Sequence, residues 1–398
     1  MNEKNGNGGD ESGRATPYLT PERLELQALA RQFTAERVLP AANRLDASGG
    51  QIPDELLEEM GEIGFFGIMI PEEFGGLGLG VFEYCMVAEE LSRGWMSVAS
   101  VLARGNGLMP GWGKERTDRL MPEVAAGRYL GAMALSEAEA GSDVSNIQCR
   151  ATRSGDGWVV NGAKMWCTFA DRADYILLFA RTDPTVDSTH RHRGVSAFVI
   201  DKDRGSFPEG IAGNPVHKIG YLGWKTYELG FDGFKLPADA LIGEEGKGFY
   251  LAMQKLDVAR LHTAARAIGL ARGALEDSIK YAAERVQFGQ PIADFQAIRF
   301  KIAWMASQIE AARSLMYEGC TRYDAGEPSS TQASMAKLIA SEMSERVTSE
   351  GLQIHGGAGY TTDFAVERHW RDARLTKIFE GTSEIQMRII SDALMGRP

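Results

Sequence analysis

Trp158-Val159-Val160-Asn161-Gly162, running on into Lys164-Met165-Trp166-Cys167-Thr168, is the clearest β-rich stretch in a chain whose two ends read as helix. Aromatic and β-branched residues suit a pleated, half-buried surface, and an Asn-Gly pair suits the left-handed backbone of a hairpin turn. The stretch therefore predicts a hairpin. Working outward, 175–180 and 195–201 are short apolar runs bounded by turn residues. Glu228-Leu229-Gly230-Phe231 leads into Lys235-Leu236-Pro237, where proline would end a strand. Together these runs predict a small antiparallel β domain over residues 135–243.

On the N-terminal side, Thr20-Pro21-Glu22 is a helix start: a capping hydroxyl, proline in the first turn, and an acid at the positive end of the dipole. Segments 54–66, 82–91 and 95–108 have helical spacing, and no period-2 alternation is sustained there. On the C-terminal side, Ile302, Met305, Ile309, Ala312 and Leu315 form one apolar stripe, and 256–275 and 333–354 repeat that spacing. The fold class expected is α+β. An N-terminal helical domain (18–134) and a C-terminal four-helix-bundle-like domain (244–398) flank the middle β domain.

Composition excludes several classes of function. A length of 398 residues suits two or three packed units, and 44% hydrophobic residues supply an ample core. A net charge of −11 disfavours nucleic acid or anionic lipid as a primary partner. Residues 1–17 are rich in Asn, Gly, Asp and Glu, and read as a disordered leader without signal or transit character. No apolar run is long enough to span a membrane. Cys85, Cys149, Cys167 and Cys320 are far apart with no metal-binding spacing, so reduced thiols in a cytoplasmic protein are expected and no metal site is assigned. The 46 glycines, well above the usual ~7%, indicate tight turns or backbone close to a ligand.

Five segments look like parts of a site. Ser136-Glu137-Ala138-Glu139-Ala140-Gly141-Ser142-Asp143 is a run of small and hydroxyl residues whose amides can approach a flat or anionic ligand; it also reads as an ordinary loop. Trp166 and Thr168 set an aromatic face beside a hydroxyl, suited to a ring system or to the β core. Arg285-Val286-Gln287-Phe288-Gly289 follows one helix, and Gln353-Ile354-His355-Gly356-Gly357 ends another. In Phe379-Glu380-Gly381-Thr382-Ser383, a carboxylate stands beside an apolar residue just before a capped helix, which suits a general base.

Taken together and in this order, these segments resemble the acyl-CoA dehydrogenase family, over residues 19–395. The resemblance implies FAD, and oxidation of an acyl-CoA to its trans-2-enoyl-CoA with Glu380 removing the α proton. Met133, Leu135, Ser136, Trp166 and Thr168 would line the flavin ring, and Ser142 would lie between flavin and the CoA arm. Arg285, Phe288, Gln296, Gln353, Gly356 and Gly357 would hold the adenosine half, reaching into a neighbouring subunit. Thr382 and Glu384 would complete the cofactor site, with Asp257, Arg260 and Gly381 on the substrate side. A homotetramer, a dimer of dimers, passing electrons to an electron-transfer flavoprotein would be expected. An acyl-CoA oxidase or flavin monooxygenase of the same fold, or a non-catalytic DNA-binding flavoprotein, are the alternatives.

The chain departs from the family pattern in places. Some relatives carry the base within the helix segment matching 258–260, where this chain has Ala259, so Glu380 is favoured. Ser136 replaces a common threonine and Ala138-Glu139 a common Pro-Gly, with the hydroxyl kept. Arg104 lies in an apolar helix whose family counterpart floors the acyl pocket. It would receive a distal carboxylate of a short or polar substrate, pair with a protein carboxylate, or snorkel to solvent. Under the first role, Arg104→Leu lowers kcat/KM for dicarboxylic relative to plain acyl-CoAs by about tenfold or more. An unchanged ratio assigns Arg104 to one of the other two.

Overall fold

Helix α1 (Pro21–Phe33) starts where expected, with Thr20 capping the Arg23 amide. A π-helical turn carries it into α2 (Leu39–Leu45). Next come α3 (Asp54–Glu62), shorter than the 54–66 spacing suggested, then α4 (Val81–Gly94), α5 (Met96–Gly105) and α6 (Lys114–Ala125). The computed structural model describes residues 18–107, 111–187 and 190–396; the expected leader, 1–17, lies outside them.

Strands β1 (Gly131–Ala134), β2 (Arg150–Ser154), β3 (Gly157–Thr168), β4 (Tyr175–Arg181), β5 (Val195–Asp201), β6 (Ile211–Pro215), β7 (Thr226–Leu236) and β8 (Leu241–Ile242) form one sheet. Its order is β6-β7-β3-β2-β4-β5-β8, with β1 beside β4. Most pairs are antiparallel, as expected, but β1 and β4 run parallel from Gly131↔Tyr175 to Ala134↔Leu178. β1 and β4 are joined by no tight turn: β2 and β3 lie between them in the chain, a connection long enough for parallel pairing.

The Asn161-Gly162 hairpin is not formed. β3 runs straight through both residues, and the β2–β3 turn lies at Gly155-Asp156, closed by the Ser154↔Gly157 pair. Asn161 Oδ1 instead accepts from the Gly233 amide (2.8 Å) across the sheet. Gly162 (φ 131°) sits at a register shift against β7, where a Cβ would lie 2.7 Å from Cys149 Cα. The pair serves a bulge, the other common use of left-handed, side-chain-free backbone in a strand.

Helix returns with α7 (Gly248–Gln254) and α8 (Leu256–Glu284), followed by the two-residue strands β9 (Val286–Gln287) and β10 (Gln290–Pro291). Four more helices complete the fold: α9 (Gln296–Asp324), α10 (Ser330–His355), α11 (Val366–Thr376) and α12 (Ser383–Met395). α8 buries Leu261, Ala264, Ala265, Ile268 and Ala271. On α10 the buried stripe is small, Ala333, Ala336, Ala340, Ser344, Val347 and Gly351, which lets the helix axes close up. At the α4–α8 crossing a Cβ on Gly269 would lie 2.4 Å from the Glu89 carbonyl.

Buried charges tie the helical blocks together. Arg272 reaches Glu89 (3.0 Å) and Glu90 (2.5 Å), and Arg313 reaches Glu89 (2.8 Å). A second junction joins all three parts: Asp372 on α11 accepts from the Tyr221 amide of the β domain (2.5 Å), and Arg371 pairs with Asp46 of the N-terminal helices (2.6 Å). Burial, reinforced by Asp46, pushes the Asp372 carboxyl up to about 7, against partial relief from Arg371 and Arg368. The folded chain thus holds a proton there that the unfolded chain releases at its ordinary value of 3.8, so this contribution to stability declines as pH rises from about 4 through about 7. Asp372→Asn keeps the acceptor and removes the titration. Its thermal midpoint should fall less than that of the parent between about pH 5 and about pH 8.

Candidate active site

The turn between α11 and α12 displays Glu380. Glu380 has φ 56° and Gly381 φ 90°; left-handed backbone at a residue with a side chain costs about 1–3 kcal/mol and persists only when the surroundings impose it. Here they do. The Gly381 carbonyl accepts from Lys337 Nζ (2.6 Å) and Gln386 Nε2 (3.0 Å), and the Ser383 amide donates back to Lys377 O (3.0 Å). Thr382 caps α12 by accepting from the Ile385 amide, with Glu384 in the first turn. Among the described residues the Glu380 amide has no hydrogen-bond partner, so it is free to hold an oxyanion.

Basic groups surround that carboxylate. Arg266 Nη2 lies 3.7 Å from Glu380 Oε1, and its guanidinium stacks over Phe379 at 4.5 Å from the ring centre. The charge of Glu380 also reaches Arg260 and Lys337. Burial lowers the Lys337 ammonium to about 8, with Glu380 pushing it back up. Asp257 and Arg260, expected on the substrate side, are a bonded pair (2.8 Å).

Polar groups on three helices make the floor. Tyr84 (α4) and His262 (α8) are buried and stacked at 4.7 Å. Burial holds the tyrosine phenol well above its ordinary range, and burial with Arg266 nearby holds His262 well below its own, so both are neutral. Ser100 on α5 accepts from Arg266 (3.0 Å). Arg104, one turn on from Ser100 and so on the same face of α5, lies over Phe169 at 5.8 Å and has no carboxylate within ion-pair distance among the described residues.

The expected flavin residues converge beside this floor. Met133 and Leu135 lie on and just after β1, and the next residue, Ser136, is bound to β3 by the Met165 amide (2.8 Å). Lys164 reinforces the seam by donating to Leu135 O (2.9 Å) and Glu137 (2.7 Å). Trp166 sits there in left-handed backbone (φ 64°) with 55% of its surface exposed, and Thr168 bonds Thr226 (2.9 Å). A flat aromatic face held rigid and left uncovered, beside strand-end hydroxyls, fits an isoalloxazine ring. Ser142 is exposed on the neighbouring loop.

The residues expected at the adenosine half do not join those expected at the flavin ring within one chain. Arg285, Phe288 (94% exposed) and Gln296 lie where α8 passes into α9, and Gln353, Gly356 and Gly357 lie at the end of α10. Those two ends are held together by Tyr281 stacked on His355 at 4.2 Å. Along α10, Gln353 stands about 24 Å from Lys337, the neighbour of Gly381.

Comparison with known proteins decides the family. The acyl-CoA dehydrogenase N-terminal, middle and C-terminal domains match residues 20–128, 132–234 and 246–395. The chain belongs to the acyl-CoA dehydrogenase family. The (2S)-methylsuccinyl-CoA dehydrogenase of Cereibacter sphaeroides is 39% identical, over 97% of this chain and 72% of that protein. Butyryl-CoA dehydrogenase from Megasphaera elsdenii superimposes with TM-score 0.88 at 36% identity, over 95% of this chain and 99% of its own. A chain solved in work on the electron transferring flavoprotein of Acidaminococcus fermentans gives 0.89 and 36%, over 96% and 100%. Acyl-CoA dehydrogenases are FAD-dependent oxidoreductases, and this chain shares their three-part fold.

Sequence reasoning missed Tyr84, His262, Arg266 and Lys337. The signal for two of them was present: Ala264-Ala265-Arg266-Ala267 and Met335-Ala336-Lys337-Leu338 each set a long cation inside a stripe of small residues, where a charge persists only with a purpose. Lys337→Met should slow flavin reduction by about tenfold or more, because the Glu380 carboxylate drifts from its held position, while acyl-CoA affinity changes by less than about threefold. Rapid-mixing reduction and equilibrium titration separate the two effects; a loss confined to affinity overturns the positioning role.

Proposed function

We propose that the chain oxidises a short, polar acyl-CoA to its trans-2-enoyl-CoA, with Glu380 as the base. The observation that carries this reading is the display of Glu380: a carboxylate on imposed left-handed backbone, its own amide without a partner among the described residues, facing a floor built from α4, α5 and α8. An α proton beside a thioester is weakly acidic, so its removal needs a carboxylate in reach and a donor on the carbonyl oxygen. Glu380 supplies both, through its side chain and its amide. Bound FAD supplies the acceptor for the β hydrogen with its electron pair. Trp166, Thr168, Met133, Leu135 and Ser136 would hold its ring, Ser142 the CoA side, and Thr382 and Glu384 the edge nearest the base.

Arg285, Phe288, Gln296, Gln353, Gly356 and Gly357 would take the adenosine half of a cofactor bound in the neighbouring subunit of a homotetramer. Their separation from the flavin set within one chain supports that assignment. A short, polar acyl group is supported by Tyr84, Arg104, His262 and Arg266, which would set a long apolar tail against polar side chains, and by the methylsuccinyl-CoA relative. The likeness to a chain from the electron transferring flavoprotein work supports that class of protein as electron acceptor. Four buried cysteines with no disulfide among them suit a reducing, cytoplasmic setting.

The purified holoenzyme should lose its flavin absorbance when mixed anaerobically with short acyl-CoAs, and regain it slowly in air. In Glu380→Gln the bleaching should slow by about a thousandfold or more while acyl-CoA still binds. Rapid recovery in air points to an oxidase, and bleaching undiminished in the variant removes Glu380 from the mechanism.

A further inference from the structure

Arg266 is a buried cation with no full counter-charge. It is 2% exposed, and its two terminal nitrogens donate to neutral hydroxyls: Nη1 to Ser100 (3.0 Å) and Nη2 to Thr263 (2.9 Å). Both hydroxyls spend their own protons on helix carbonyls, Met96 O and Ala259 O. Each nitrogen carries two hydrogens, so one N–H on each is left without a hydrogen bond. Among the described residues the one carboxylate within 4 Å is that of Glu380, at 3.7 Å, too long for a hydrogen bond and on the side chain that must face the substrate. Asp257 matches Arg260, whereas Lys337 and Arg104 have no carboxylate of their own within ion-pair distance among the described residues. Among the described residues, Arg266, Lys337 and Arg104 together have one carboxylate within ion-pair distance, Glu380, and it lies against Arg266.

We infer that Arg266 is the receptor for a second carboxylate carried on the acyl chain, and that this carboxylate takes Arg266 over from Glu380 when substrate binds. The inference rests on the dehydrogenase reading and names its substrate class. A buried guanidinium with two N–H groups free is built for the planar, two-point grip of a carboxylate. The α carbon must lie within about 3.5 Å of Glu380, and the bound carboxylate within about 3 Å of Arg266, so the two are at most about 10 Å apart. That admits diacid thioesters of a few carbons and excludes long chains. Ser100 and Thr263 hold the guanidinium fixed in the absence of substrate. Substrate pairing then balances the excess positive charge and leaves Glu380 turned to the α proton. Arg104, which the sequence singled out, stands one helical turn away as a second positive wall.

Glu380→Gln holoenzyme, which binds without turnover, tests the exchange directly. Succinyl-CoA and butyryl-CoA are titrated into it, with the flavin spectrum and calorimetry as readouts. Succinyl-CoA should bind at least tenfold tighter than butyryl-CoA, and tighter than in the parent protein, whose Glu380 competes for Arg266. Adding Arg266→Leu should abolish that preference, so that the two affinities converge to within about threefold of each other; Arg266→Lys, which keeps the charge in a milder replacement, should retain part of it. Equal affinities in Glu380→Gln, or a preference that survives both replacements, overturn the inference. Flavin bleached equally by both thioesters in the parent also sinks it but spares the dehydrogenase reading, whereas flavin bleached by neither sinks the latter.

Discussion

The buried ionic seam of Glu89 and Glu90 with Arg272 and Arg313 is the constraint on which the rest depends. It fastens α4 to α8 and α9 where the Gly269 backbone meets the Glu89 carbonyl. Taking four charges out of water is costly, and removing one partner of such a set costs about 3–5 kcal/mol because the others stay buried. What the seam secures is register. α8 carries Arg260, His262 and Arg266 on the turns just before it, and α4 carries Tyr84 on the turn before Glu89. A slip of one turn, about 5 Å, would take Arg266 out of reach of Ser100, Phe379 and Glu380.

Against that frame the site assembles from segments far apart in the chain. α10 contributes one long side chain, Lys337, whose ammonium reaches the loop that bears Glu380. The sheet contributes the ledge of β1 and β3, joined by Met165 to Ser136 and by Lys164 to Leu135 and Glu137. All but one of these contacts, the Lys164–Glu137 ion pair, end on a backbone carbonyl, so the ledge depends little on which side chains stand at Ser136 and Ala138-Glu139.

Legibility in the sequence followed the range of the interaction. Thr20-Pro21-Glu22 specified a helix start because capping is settled within four residues. The stripe on α9 was readable because 3.6-residue periodicity is local, and Pro237 ended β7 as its missing amide requires. Asn161-Gly162 misled for the same reason inverted. The pair permits left-handed backbone, and whether a turn or a bulge uses it is decided by Gly233 and Cys149, neither of them local. Arg104 stands out in the sequence as a lone cation in an apolar helix, whereas Arg266 is one of several charges on a long helix and gains its meaning only from its position beside Glu380.

The sequence by itself determined the order of helix, sheet and helix, the motifs that mark the family, and Glu380 as the carboxylate beside a capped helix. These depend on periodicity, capping and short motifs, all written within a few residues of one another. Only the tertiary structure decided which cations face that carboxylate, that Lys337 holds its loop, and that the two residue sets proposed for the cofactor lie at different places in one chain. Those facts depend on the crossing of α4, α8 and α10. An electrostatic interaction is set by distances through space, and residues 84, 104, 266, 337 and 380 become neighbours only once the helices have packed.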